Sequence, residues 1–265
     1  MNKFLKISLA ASVFFAATSA SATTFVFDTT KAGTGSTGTT GNSMTYTAKT
    51  GAETLSMKAT GWNLAQATGS FWGYTYGLGY NVVGASQLVS YSPGLGVVSP
   101  GDSVNNATHT IDNAGRTDFV LLQFSQPVTL KSAALNAFSI DGGSPDADAT
   151  IGWGSTTGAW DQSLPLNGTT QSAFNSYLTG TAASSGTTSG TRTLNLGAVT
   201  GNLWMISAAQ LNPDCLIDGF KLAGLTVNTV SAVPEPATWA MMLVGFGMVG
   251  AATRVRRRKT TVSFA

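Results

Sequence analysis

The sequence predicts an all-β fold, a single antiparallel β-sandwich. Three observations carry this. Short runs rich in Val, Ile, Thr, Phe and Tyr recur along the chain, separated by clusters of Gly, Asn, Ser and Pro. Charged residues make up only 10% of the chain, and Thr, Ser and Asn take their place, as suits the exposed face of a strand. One stretch, "DFVLLQF" from Asp118 to Phe124, is almost continuously apolar, the pattern of a strand covered on both faces.

The elements follow in order. "TTFVFD" (Thr23 to Asp28) is the first strand, and the Gly/Thr-rich "KAGTGSTGTTGNS" after it is a loop. "MTYTAK" and "TLSMKATGW" pair as a hairpin around Thr50-Gly51. "FWGYTYGLGYNVVGASQLVSY" is aromatic and interrupted by glycines, so it reads as bulged strands or a long loop. The central strand "DFVLLQF" ends in a turn at Ser125-Gln126-Pro127, and "VTLKSAALNAFSID" continues as one strand or two. "DATIGWG", "TRTLNL", "LWMISAA" and "CLIDGFKLAGLTVNTV" bring the set to about ten strands. "TTQSAFNSYLTG" reads as a short helix, and Thr179 to Thr191 as a surface loop.

The two ends are of another kind. Lys3 and Lys6, an apolar run from Ile7 to about Ala17, and small residues at Ala20 and Ala22 form the pattern of a secretory signal peptide over residues 1–22, cut after Ala22. The Sec translocon and signal peptidase are then expected partners. At the other end, Ala237 to Thr253 is free of charge and, as a helix of about 25 Å, meets the short limit of a transmembrane span. Trp239 lies near its outer end. Arg254, Arg256, Arg257, Arg258 and Lys259 follow, and by the positive-inside rule this tail, 254–265, stays cytoplasmic. The expected organisation is thus a signal peptide (1–22), an extracytoplasmic domain (23–232) and a C-terminal segment (233–265).

Removing both ends changes the charge. Seven of the 14 basic residues lie in them, so the stretch from Thr23 to Ala232 holds 7 basic and 11 acidic residues and nets −4. No basic patch is present for nucleic acid.

Pro234-Glu235-Pro236, two further residues, Trp239-Ala240, an apolar span and an arginine cluster resemble the PEP-CTERM sorting signal of Gram-negative bacteria in its PEP-x-x-W-A form. The resemblance implies an exosortase that engages near Pro234, Glu235 and Pro236, a transient stay in the inner membrane, and delivery to the cell surface or outside. The middle of the chain, from "GLGVV" through "HTIDN" to "IDGFKLAGL", is similar to a group of exosortase-dependent surface proteins. That similarity implies that the β-sandwich is a single jelly-roll-like antiparallel one at the cell surface, with no established enzymatic activity.

Candidate chemistry is sparse. His109, Asp112 and Asn113 share one loop, where an imidazole beside a carboxylate could act as a general base, but no nucleophile is marked and a turn staple accounts for them equally. Asp112, Asp141, Asp146 and Asp148 lie in Gly- and Asn-containing loops and could supply oxygen ligands to calcium, although the spacing is not that of an EF-hand. No other cofactor is expected. Of the tryptophans, Trp204 alternates like a core residue, whereas Trp72 and Trp160 sit in Gly/Ser/Thr-rich stretches and are candidates for stacking on a glycan. Cys215, the single cysteine, reads as a small buried residue. The expected function is a non-enzymatic surface or matrix protein associated with biofilm or exopolysaccharide. The alternatives are a carbohydrate-binding module and, with less support, a secreted hydrolase.

Overall fold

A computed structural model describes residues 22–35, 38–104, 109–212, 214–230 and 235–257. Residues 1–21 of the expected signal peptide, Pro234 and Arg258 lie outside the described residues. Ala22–Val230 forms one compact unit.

That unit is antiparallel β throughout, apart from one helical turn. Its strands, in chain order, are β1 (Thr24–Asp28), β2 (Ser43–Thr50), β3 (Glu53–Phe71), β4 (Tyr74–Ala85), β5 (Gln87–Tyr91), β6 (Gly94–Val98), β7 (Ile111–Asp112), β8 (Thr117–Ala137), β9 (Ala149–Gly154), β10 (Leu178–Ser184), β11 (Gly190–Thr193), β12 (Gly201–Ala208) and β13 (Gly219–Thr229). They form one continuous hydrogen-bonded antiparallel sheet. The reason lies in β8. Its first half, Thr117 to Phe124, pairs with β3 and β12, and its second half, Val128 to Ala137, pairs with β13 and β11. The expected turn at Ser125-Gln126-Pro127 is instead the exposed middle of this 21-residue strand. Pro127 has no N–H to give a ladder, so the irregularity stays local: β12 shifts register opposite it.

The central strands bury both faces. On β8, Val120, Leu122 and Phe124 enter a large core with Phe25, Met57, Trp204 and Phe220. Phe119 and Leu121 point the other way, into a second core with Trp62, Val83, Leu203 and Met205. Side chains alternate across a strand, so both cores require a continuous apolar run, which is what "DFVLLQF" supplies. The second core is closed by Leu166 and by α1 (Gln171–Asn175), whose Phe174 stacks on Phe119 at 5.1 Å. Thr170 caps α1, accepting the Ala173 N–H at 3.2 Å.

The surface loop expected from Thr179 to Thr191 carries strand at both of its ends. Residues 178–184 form β10 against β9, and 190–193 form β11 against β8. Weak β-formers such as Gly, Ala and Ser are held there by the ladder of a neighbour, a tertiary effect that local composition does not report.

Helix α2 (Glu235–Arg257) is a separate element. Among the described residues no helix is long and apolar enough to cross a membrane. Gly245, Gly247, Gly250 and Thr253 dilute the hydropathy of a charge-free run that is already short.

Candidate functional site

The aromatic stretch that the sequence left between strands and loop is a protruding hairpin. The ends of β3 and β4 pair Phe71 with Tyr74, leaving Trp72-Gly73 as a two-residue turn. Both turn residues have positive φ, 51° and 79°, as a type I′ turn requires. Glycine adopts this without cost; tryptophan does not. The side chains stand in water: Trp72 is 86% exposed, Tyr74 79%, Phe71 69% and Tyr76 51%. Directly paired residues share a face, so Phe71 and Tyr74 lie together, and Tyr76, two residues on, joins them. Tyr76 faces Gly69, where an added Cβ would come within 2.7 Å of its ring. The missing side chain is the space the ring occupies. The Phe71 and Trp72 rings tilt against each other at 6.2 Å.

At the foot of this ribbon is an open groove of about 540 Å³, lined by Gln66, Tyr80, Asn81, Gln171, Ser172 and Asn175 together with Gly79 and Thr170. Asn81 Nδ2 donates to Gln171 Oε1 at 3.0 Å, tying β4 to α1. Amides, hydroxyls and one phenol line it, and no carboxylate is among them. Flat rings beside amide donors and acceptors offer stacking and hydrogen bonding to a polyhydroxylated ligand. Trp160 takes no part: it is half-buried in the turn at 159–162, away from the groove lining.

The predicted calcium ligands separate. Asp112 is buried on β7, where it accepts from Thr110 Oγ1 at 2.8 Å and from the Ala114 N–H at 3.1 Å. It is a loop staple, and burial pushes its carboxyl up to about 7. The His109 ring lies tilted at 56° against Tyr91 with centroids 4.5 Å apart, and Lys221 Nζ lies 3.9 Å from the same Tyr91 ring. Asp141 is exposed in a turn at φ 50°. Asp146 and Asp148 do converge, and their companion is Asp214, from the loop between β12 and β13: one oxygen of each lies within 4.8 Å of the others. Asp218, at the end of that loop, feels the charge of Asp146; burial first and Asp146 second push its carboxyl up to about 7. The sequence reading passed over Asp214 and Asp218 because they stand far along the chain from "DADAT". Cys215, beside Asp214, is exposed at φ 61°, not buried as expected. It sits in the loop, ahead of the buried start of β13.

The remaining feature is linear. Glu235 and Pro236 open α2, and Arg254, Arg256 and Arg257 close it. Trp239 lies in its second turn. Residues 232–258 match the PEP-CTERM protein-sorting motif. The chain carries a PEP-CTERM sorting signal. This signal implies an exosortase as processing partner and export to the cell envelope or surface through a membrane-anchored intermediate. No curated protein and no solved structure matches the chain.

Proposed function

We propose that this is an exported, non-enzymatic surface or extracellular-matrix protein that holds exopolysaccharide through its aromatic hairpin. The observation that carries the reading is the arm formed by Phe71, Trp72, Tyr74 and Tyr76, whose rings are withheld from either core and kept in water. Large exposed apolar patches mark interaction sites. The groove beside it favours binding over hydrolysis, since glycoside cleavage needs a pair of carboxylates about 5–10 Å apart and its lining offers none.

In this reading the Sec translocon exports the chain, signal peptidase removes residues 1–22, and the C-terminal sorting segment, with its cluster of Arg254, Arg256, Arg257 and Arg258, holds the chain transiently at the inner membrane. Exosortase then acts near Pro234-Glu235-Pro236 and releases the β-unit to the surface.

Two experiments test the two halves. Co-sedimentation with the exopolysaccharide of the producing cell reads binding. The double variant Trp72→Ala/Tyr74→Ala is expected to lose at least about tenfold in affinity, since stacked rings contribute a kcal/mol or more each; undiminished co-sedimentation of a folded variant would overturn glycan binding. Deleting 234–265 is expected to abolish surface delivery, and unchanged delivery would overturn the sorting route.

A further inference from the structure

From the convergence of Asp146, Asp148 and Asp214 we infer a calcium site at the end of the sheet where the β8–β9 and β12–β13 loops meet. The site is independent of the aromatic hairpin; it keeps Asp146 and Asp148 of the ligands the sequence suggests and has Asp214 in place of Asp112 and Asp141.

The acidic cluster is only the first observation. The second concerns oxygens that lack partners. Among the described residues, four buried side-chain oxygens accept no hydrogen bond: Asp118 Oδ2, Asp146 Oδ2, Asn212 Oδ1 and Asp218 Oδ1. Three of the four belong to this pair of loops. Asp146 and Asp218 are completely buried. A buried carboxylate oxygen without a partner is costly, and a buried polar group that stays unpaired calls for an ion or donor. Asp146 is the decisive residue, because it is both fully buried with an unpartnered oxygen and one of the three whose oxygens converge.

The other oxygens of these residues are used to hold the loops. The Asp148 N–H donates to Asp146 Oδ1 at 3.3 Å, and the Gly186 N–H to Asp148 Oδ1 at 2.6 Å. The Leu216 N–H donates to Asp214 Oδ1 at 3.2 Å. Asp218 Oδ2 accepts from Asn113 Nδ2 at 2.5 Å and from the Ala209 N–H at 3.1 Å. Each carboxylate is thus oriented by one oxygen, and Asp146 and Asp218 keep the second for another partner. The Gly219 N–H donates to the Asp146 carbonyl at 2.8 Å, which ties the two loops together.

Chemistry selects the ion. All the donors are oxygens, from aspartate and asparagine, which suits a hard cation and not zinc or copper. Oxygens within 4.8 Å of one another can all reach one ion with bonds of about 2.4 Å, the calcium value, and a site built of protein oxygens suits calcium better than magnesium, which keeps several of its waters. Arg192 opposes this charge: its guanidinium donates to the carbonyls of Ser184 and Gly186, and it feels Asp148, Asp146 and Asp218. One arginine leaves the four aspartates in excess, as a divalent ion requires.

The test is calorimetric titration of the full-length chain in detergent with CaCl2, with thermal melting on the same samples. The expected result is saturable binding with Kd about 10⁻⁴–10⁻³ M, as for extracellular calcium modules, and a melting temperature a few degrees higher at about 10 mM calcium. Asp214→Asn is the informative variant, because Asp214 is exposed and its loss leaves both cores intact. It is expected to weaken calcium binding at least about tenfold, whereas Asp161→Asn, at an exposed acid elsewhere, leaves it unchanged. The inference is overturned by absent heat and an unmoved melting temperature in a chain of native circular dichroism. It is equally overturned if Asp214→Asn binds as the parent does, or if MgCl2 at the same concentration gives the same shift.

Discussion

The first half of β8 and the first half of β4 are both strands of one antiparallel sheet, and their burial is opposite. Residues 118–124 are buried without exception, whereas residues 74–81 are exposed without exception. Both stretches are rich in large apolar side chains. The difference is neighbours. The β8 stretch lies between β3 and β12, with a core on each face; the β4 stretch has the tip of β3 as its one strand partner and extends past both cores. Aromatic content therefore does not locate a core, and rings that the sheet has the means to cover but leaves in water are reserved for contact with something else.

The comparison breaks most visibly by truncation. Trp204→Ala or Phe119→Ala is expected to cost about 3–5 kcal/mol in chemical denaturation, because each empties a fully packed site. Trp72→Ala is expected to change stability by less than about 0.5 kcal/mol. A loss at Trp72 comparable to that at Trp204 would show the hairpin to be packed in solution.

Next in size is a pH effect from the buried end of the sheet. Folded Asp112 holds its proton up to about 7, against 3.8 for the ordinary carboxyl. Between those values the folded chain binds more protons than the unfolded one, so stability falls as pH rises, by up to a few kcal/mol. Melts in EDTA are expected to show a lower midpoint at pH 8 than at pH 5, and Asp112→Asn is expected to flatten the slope. A midpoint that rises over this range would contradict the assignment. The exposed hairpin has no titrating group in this window and leaves the slope unchanged when mutated.

A smaller effect has the opposite sign to most substitutions. Trp72 sits at φ 51°, which costs an L-residue with a bulky side chain about 1 kcal/mol. Trp72→Asn relieves this and is expected to stabilise the chain by several tenths of a kcal/mol while weakening polysaccharide co-sedimentation. A stability gain with undiminished binding would separate the turn from the ligand. Smallest of all, Tyr74→Ala is expected to leave the melting temperature within about 1 °C while weakening binding.

Part of this was legible in the residues. The central strand was readable because burial on both faces demands an unbroken apolar run, and Trp204 was readable as core from its place in the alternation of "LWMIS". The short helix was readable from "TTQSAF", where Thr170 caps the first turn. The hairpin was less so: glycines at 69, 73, 77 and 79 suggested a loop, although Gly73 makes the turn and Gly69 admits the Tyr76 ring. The loop expected from Thr179 to Thr191 carries strand at both ends, because Gly, Ala and Ser become strand only when another strand is alongside. Trp160 looked as free as Trp72 because exposure is not written in local composition.

By itself the sequence determined the class of fold and the export signal. Class follows from local periodicity, and a sorting signal is a linear address that needs its residues in order and not in a particular tertiary place. Tertiary structure alone decided which residues meet. Asp146 and Asp148 were visible as a pair, but Asp214 stands 66 residues beyond Asp148, and Asp112 and Asp141, nearer in sequence, go elsewhere. The pairing of β9 and β8 with β12 brings the two loops to one end of the sheet. Long-range strand pairing sets which carboxylates share an ion and which rings remain in water, because both depend on what lies across the sheet and not on what lies next in the chain.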